Sequence, residues 1–473
     1  MGGSVLTVNP GSVLIINQQE ELKVLEREYQ RKGSSFVVIY GRRRLGKTTL
    51  ISKFCEHKRN ISFLATEESE QENLNALKNE VADKTGNNLL RDVRLSSWEP
   101  LFDLIVEHAK EGEKLVLVLD EFQYLGKANE AFPSVLMKIW DRKLKDQNVM
   151  LILCGSLIRM MTSQVLSYQS PLYGRRTAQI RMKQIEFKYY STFFDRLSRE
   201  EQILRYSITG GVPKYIELLS GDGTIEDLIR DNIMNTGSFL YEEPEFLLRN
   251  EIKEVGRYFT ILKLIAGGKH KLSEICAAAE MSQTSIAIYM KTLAELDILV
   301  REVPVTEVNP EKSKMGQYRI TDHYLHFWFR FVYPYRSLIE RGQTEWVLEK
   351  IRKPLRDNYL SFVYEDICRD RVMDELGVRL NLTRIGRWWD NKTGEIDIVG
   401  LGNETDEVLF GECKYSVEEK GMGVLSELMK KSEKVKWKND TRKEFYVICS
   451  KSGFDQKLRD YAGEHDNIYL MEN

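Results

Sequence analysis

The run Gly41-Arg42-Arg43-Arg44-Leu45-Gly46-Lys47-Thr48 sets two glycines, a lysine and a hydroxyl at the spacing of a phosphate-binding loop. Gly41 and Gly46 let backbone N–H groups turn inward, so the cradle is expected to run from Gly41 through Arg42, Arg43, Arg44, Leu45 and Gly46 to Lys47, Thr48 and Thr49. Lys47 would reach the β and γ phosphates of ATP, and Thr48 would place its hydroxyl on Mg²⁺. Such chemistry needs a second acidic element. Lys114 to Glu121 supplies one, an apolar run ending in Asp120 and Glu121. Asp120 is the expected Mg²⁺ holder and Glu121 the base that orients or polarises the attacking water.

A third apolar run, Val149 to Cys154, ends in Gly155 and Ser156, where AAA+-like ATPases carry a polar sensor of the γ-phosphate; Ser156 is the sensor candidate. Further on, Arg175 and Arg176 offer guanidiniums for a sensor or for an arginine finger toward a neighbouring subunit, which leaves a homo-oligomer open. Surface arginines in a loop are the alternative.

A second constellation stands near the C-terminus. Gly394 to Gly400 and Leu409 to Tyr415 read as two strands joined by the polar loop Asn403 to Glu407. Alternation puts Glu412 and Lys414 on one face and Cys413 on the other. A metal held by Asp397 and Glu412 would polarise a phosphodiester, with Lys414 positioning water and Glu365 on an upstream helix as a further ligand; Mg²⁺ or Mn²⁺ suits such carboxylates. The alternative is a solvated hairpin of mixed charge. Lys430, Lys431, Lys434, Lys436, Lys438, Arg442 and Lys443 with Trp437 follow as a basic run, suited to DNA phosphates or to a charged helix face.

Elements must hold these groups in place. Ser35 to Tyr40 reads as a buried parallel strand and Thr49 to Phe54 has helical spacing, so the phosphate loop sits where strand becomes helix. Strands alternate with helices to about Ile180. The next stretch turns helical and contains the break Gly210-Gly211-Val212-Pro213, a hinge candidate. Helices over Val255 to Ile265, Leu272 to Ala279 and from Ser282 onward precede strands Ile298 to Val303 and Gln317 to Ile320. This is the order of a winged helix-turn-helix, whose third helix would enter a DNA groove. That helix is polar but barely basic, and such modules also contact proteins. The pair His323 and His326 lies in an aromatic segment that fits a packed helix better than a metal site.

With 473 residues the chain exceeds one core, while 69 Lys plus Arg against 71 Asp plus Glu give a net charge of −2, so a nucleic-acid footprint must be a local patch. Six scattered cysteines, none paired at zinc-ligand spacing, read as reduced core thiols of a cytoplasmic protein. No apolar run has the length of a membrane span, and Met1 to Ser12 reads as a loose leader.

The phosphate loop, the strand ending at Glu121, the Gly210 to Pro213 break, Tyr241-Glu242-Glu243-Pro244 and Phe327-Trp328-Phe329 together closely resemble the archaeal-type ATPase family, which is AAA+/STAND-like and also occurs in bacteria. The resemblance implies a C-terminal domain similar to PD-(D/E)XK nucleases, although Ile396 stands where the leading proline of that motif would be. The expected fold is α/β: a P-loop NTPase parallel sheet with helical lid, then a winged helix-turn-helix and a C-terminal α/β nuclease-like domain. Expected boundaries are 18–182 for the ATPase core, 183–250 for the lid, 251–320 for the winged helix, 321–345 for an aromatic linker helix and 346–473 for the nuclease-like domain. The expected function is ATP hydrolysis directed at DNA, with a metal-dependent nuclease under nucleotide control. A signalling switch, or a DNA-binding regulator with an inactive nuclease fold, is the alternative.

Overall fold

The computed structural model describes residues 18–110, 112–390, 394–402 and 404–472; the leader Met1 to Ser12 and Asn403 of the polar loop lie outside them. Two compact units divide the chain. The first takes the described residues up to Phe193 with Gly211–Glu217 and Glu245–Lys253, and the second takes Phe194–Gly210, Leu218–Pro244 and the chain from Glu254 onward. The helical stretch 183–250 is therefore shared between the units.

The first unit is built on five parallel strands, β1 (Ser35–Tyr40), β2 (Asn60–Leu64), β3 (Leu115–Asp120), β4 (Val149–Gly155) and β5 (Ala178–Arg181), in the order β2-β3-β4-β1-β5. Every residue of β1, β3 and β4 is buried, which explains their unbroken apolar runs: helices cover both faces of a parallel sheet. Leu74 and Leu77 of helix Glu70–Thr85, Phe102 and Ile105 of helix Glu99–Ala109, and Leu136 of helix Phe132–Ile139 pack with Leu117 and Leu151 in one core. Placing β4 between β1 and β3 brings Ser156 between the phosphate loop and the acidic strand end. Gly211 donates no side chain for a reason: a Cβ there would lie 1.9 Å from the Ile185 carbonyl oxygen, whose own N–H bonds to Gly211 O at 2.8 Å.

In the second unit, helices Gly256–Ala266, Leu272–Ala279 and Gln283–Glu295 precede the antiparallel ribbon β6 (Leu299–Glu302) and β7 (Gln317–Ile320). Ser282 caps the third helix by accepting from Ser285 N at 3.1 Å, and Ile286, Met290, Leu293 and Leu296 form its buried stripe. Tyr289 packs edge-on against Tyr258, while Ile288 is left 66% exposed. The ribbon loop is not free: Val305 joins the core of the C-terminal sheet, its N–H donates to Arg387 O at 2.9 Å, and Trp389 Nε1 donates to Met315 O at 3.2 Å. Lys312 and Lys314 on that loop remain exposed.

Behind the ribbon, His323 and His326 sit in an aromatic core with Tyr206, Tyr359 and Phe362. The C-terminal sheet has the order β12-β11-β10-β9-β8, from β8 (Arg384–Asp390), β9 (Gly394–Leu401), β10 (Glu407–Lys414), β11 (Lys443–Ser450) and β12 (Ile468–Glu472). The pairs β8 with β9 and β9 with β10 are antiparallel; β10 with β11 and β11 with β12 are parallel. Among the described residues no helix is long and apolar enough to cross a membrane.

Candidate functional site

The phosphate loop owes its shape to backbone conformations that suit few side chains. Gly41, Arg44 and Gly46 have φ of 150°, 73° and 82°, and a Cβ on Gly41 would lie 2.7 Å from Met182 O. Lys47 is buried and bends back so that Nζ donates to Gly41 O at 2.9 Å and Arg42 O at 2.8 Å. Burial lowers its ammonium pKa, opposed by Glu121 and Asp120. Around the loop, Leu45 O accepts from Gln18, Arg43 donates to the Tyr124 hydroxyl at 2.6 Å, and the Arg43 guanidinium lies 5.7 Å over the Phe246 ring. Arg42 and Leu45 are buried, while Arg44 and Thr49 are half-buried.

Thr48, exposed on the first turn of helix Lys47–Cys55, donates its hydroxyl to Asp120 Oδ2 at 2.9 Å. Asp120 is buried and its other oxygen accepts from Glu121 N at 2.8 Å. Glu121 has φ 51°, an unusual conformation for this residue, which turns the chain sharply at the strand exit. Its carboxylate is held: Ser156 Oγ donates to Oε2 at 2.7 Å, and Gln123 Nε2 donates to the same oxygen. Gln123 is fully buried and was not singled out by sequence; a glutamine two residues after an acid carries no signal by type or spacing.

The two arginines differ. Arg175 donates to Asp141 through Nε at 3.0 Å and a second nitrogen at 2.7 Å, and also to Pro171 O at 2.7 Å, which ties it to its own loop. Arg176 lies 5.6 Å over the exposed Tyr173 ring.

On the C-terminal sheet, the β9–β10 ladder ends at the Gly411–Ile398 pair, one residue before Glu412 and Asp397, which thus lie opposite each other where the strands part. Both are buried. Asp397 Oδ2 accepts from Cys413 N at 2.9 Å, and Glu412 accepts from Lys414 Nζ at 2.6 Å and from Lys431 Nζ at 3.1 Å. Burial and then the Glu412 charge push the Asp397 carboxyl up to about 6; burial and then the Asp397 charge push Glu365 up to about 8. Glu365 Oε2 is buried without a hydrogen-bond donor, with Arg387 Nε 3.8 Å away. Asp397 and Glu365, short of compensation, suit a divalent cation, which needs only one or two carboxylates beside water, whereas Glu412 is already met by two ammonium groups. Glu365 does not, however, join Asp397 and Glu412 as a third close ligand: the three offer no set of oxygens within 4.8 Å of one another.

The basic run divides. Lys431 turns to Glu412, Lys438 to Asp406 at 3.1 Å, and Arg442, its side chain largely covered, pairs with Glu444 at 2.6 Å. Lys430, Lys434 and Lys436 stay exposed with Lys443.

A five-stranded parallel sheet with this loop, lysine and strand-end acid pair defines a P-loop ATPase domain. The family described as an ATPase domain predominantly from Archaea matches residues 15–219, and a family of archaeal and bacterial proteins of unknown function matches 328–424. An uncharacterized protein of Methanocaldococcus jannaschii is 33% identical over 405 residues, 85% of this chain and 88% of that protein. An uncharacterized ATP-binding protein of the same organism is 47% identical over 49 residues, 10% of this chain and 83% of that protein. A Walker-type ATPase of Pyrococcus abyssi shares the fold at a TM-score of 0.53 and 18% identity, covering 66% of this chain and 95% of that one. The chain belongs to this archaeal-type ATPase family.

Proposed function

We propose that the chain hydrolyses ATP at its phosphate loop and that nucleotide state governs a metal-dependent, nuclease-type site on the C-terminal sheet, with DNA as the substrate class. The observation that carries the ATPase reading is the 2.9 Å bond from Thr48 to Asp120, which joins the loop to the acidic strand end with Glu121 next in sequence. Lys47 exchanges its two loop carbonyls for phosphate oxygens. Asp120 keeps the Thr48 hydroxyl oriented, and Glu121 takes the proton of the attacking water. Thr48 and Asp120 would hold Mg²⁺, which would supply neutralisation of phosphate charge.

Paired Asp397 and Glu412 with Lys414 support the nuclease-type reading: the carboxylates suit Mg²⁺ or Mn²⁺, and the ammonium stabilises a developing phosphate charge. Helices 256–295 with the β6–β7 ribbon are read as a winged helix. Exposed Ile288 on its third helix and the packed ribbon loop favour a protein-facing role for that module over groove reading. DNA contact then falls to the exposed lysines of the C-terminal basic run.

A second reading, a slowly turning nucleotide switch, draws support from the two side chains that hold Glu121. Cleavage of linear, supercoiled and branched DNA with Mg²⁺ or Mn²⁺, with and without ATP, separates the two when wild type is compared with Lys47→Ala and Asp397→Ala. Cutting lost in Asp397→Ala supports the nuclease. ATP hydrolysis without cutting on any substrate leaves the switch.

A further inference from the structure

Three of the six cysteines, unrelated by spacing in sequence, converge. Cys368 comes from helix Leu360–Leu376, Cys413 from β10 and Cys449 from β11, where parallel register sets Cys413 beside Cys449. Their sulfurs all lie within 4.8 Å of one another, and none is in a disulfide. Among the described residues the remaining thiols, Cys55, Cys154 and Cys276, share no such grouping.

We propose that Cys368, Cys413 and Cys449 form a trigonal thiolate site for a soft, closed-shell monovalent ion of the Cu(I) class. Three sulfurs bound at about 2.3 Å to one ion stand about 4 Å apart, so the observed spacing needs little adjustment. Among the described residues no His, Asp or Glu adds a fourth ligand to the set, which disfavours tetrahedral zinc and suits an ion content with three soft donors. A three-thiolate site carries excess negative charge. Arg369 and Arg371 stand beside Cys368 on helix Leu360–Leu376 and bring positive charge to that stretch. All three sulfurs are buried, although Cys413 as a residue keeps partial exposure.

The site is separate from the acidic one. Strand alternation turns Cys413 to the face opposite Glu412 and Lys414. It nevertheless lies between them in sequence, and Cys368 stands one helical turn beyond Glu365, so a bound ion ties together the helix and strand that carry the acidic groups. Binding releases thiol protons to solvent and changes no oxidation state when the ion is supplied as Cu(I). Neither ATP hydrolysis nor DNA cleavage is required.

The test uses the full-length protein without oxygen, titrated with Cu(I) against a chromophoric bidentate chelator. One equivalent should stay with wild type and with Cys276→Ser. Cys413→Ser and Cys449→Ser should each lose affinity by more than about 100-fold, beyond what an outer-shell change costs. X-ray absorption of copper-loaded wild type should report three sulfur neighbours at about 2.3 Å, and decides the matter even if a variant fails to fold. No equivalent resistant to the chelator, retention by Cys413→Ser, or a shell with fewer than three sulfurs overturns the site.

Discussion

Glu121 meets the water, if the ATPase reading holds, with one carboxylate oxygen already engaged by Ser156 and Gln123. Ser156 is then a positioning residue. Ser156→Ala should lower kcat roughly tenfold with little change in KM, since it loosens the base and not the phosphate cradle; a raised kcat would assign it a restraining role. Glu251 illustrates a residue whose worth depends on pH. Burial raises its carboxyl above the usual glutamate range, against the pull of the Ile158 and Arg159 N–H groups. The folded chain holds that proton more tightly than the unfolded one. Its contribution is therefore full below 4.5 and is lost as pH climbs through the raised folded value. Glu251→Gln keeps an acceptor for Ile158 N and should flatten this loss, as read from urea midpoints across weakly acidic pH. At this scale, groups contiguous in sequence stood out as residues: loop, acid pair and E-x-K alike. The tie of Lys431 to Glu412 and the convergence of the three cysteines did not, because each depends on a partner distant in sequence; nor did Gln123, because a glutamine two residues after an acid carries no signal by type.

Among the elements, strands announced themselves. β1, β3 and β4 are apolar through their centres because both sheet faces are covered, and helix Gln283–Glu295 starts at Ser282 as its sequence pattern has it. What periodicity could not tell is where a loop goes. Val305 follows β6 in a stretch of ordinary composition, yet it packs with Trp388 and bonds to Arg387, covering the edge strand β8. Val305→Asp should cost about 3 kcal/mol by burying an unpaired carboxylate there, measured by denaturant unfolding. Gly211 gives a second check. Any Cβ meets the Ile185 backbone, so Gly211→Ala should destabilise the first unit by about 2 kcal/mol or more, with a matching drop in urea midpoint.

For the whole molecule the arrangement of the chain matters more than any single contact. Segments of the two units alternate along the sequence between Phe193 and Glu254. The sequence pointed to successive blocks, since composition marks where an element changes and not which core it joins. Within the second unit, Tyr324 and Trp328 donate to the carbonyls of Leu240 and Tyr241, and the Tyr359 hydroxyl lies 2.8 Å from Ser207 O. A fragment starting at Glu254 strands these buried donors. It should fail to fold cooperatively by calorimetry, whereas full-length protein should show sharp transitions.

The same alternation sets an order of events on the ribosome. Phe246 under Arg43, and Glu251 against Ile158, belong to the last segment of the first unit to be made. The nucleotide-binding unit is therefore incomplete until much of the intervening helical chain has emerged, although domains commonly fold in turn from the N-terminus. A nascent chain paused before Glu245 exposes an unfinished phosphate loop, so protection from protease by ATP should begin only once synthesis has passed Lys253.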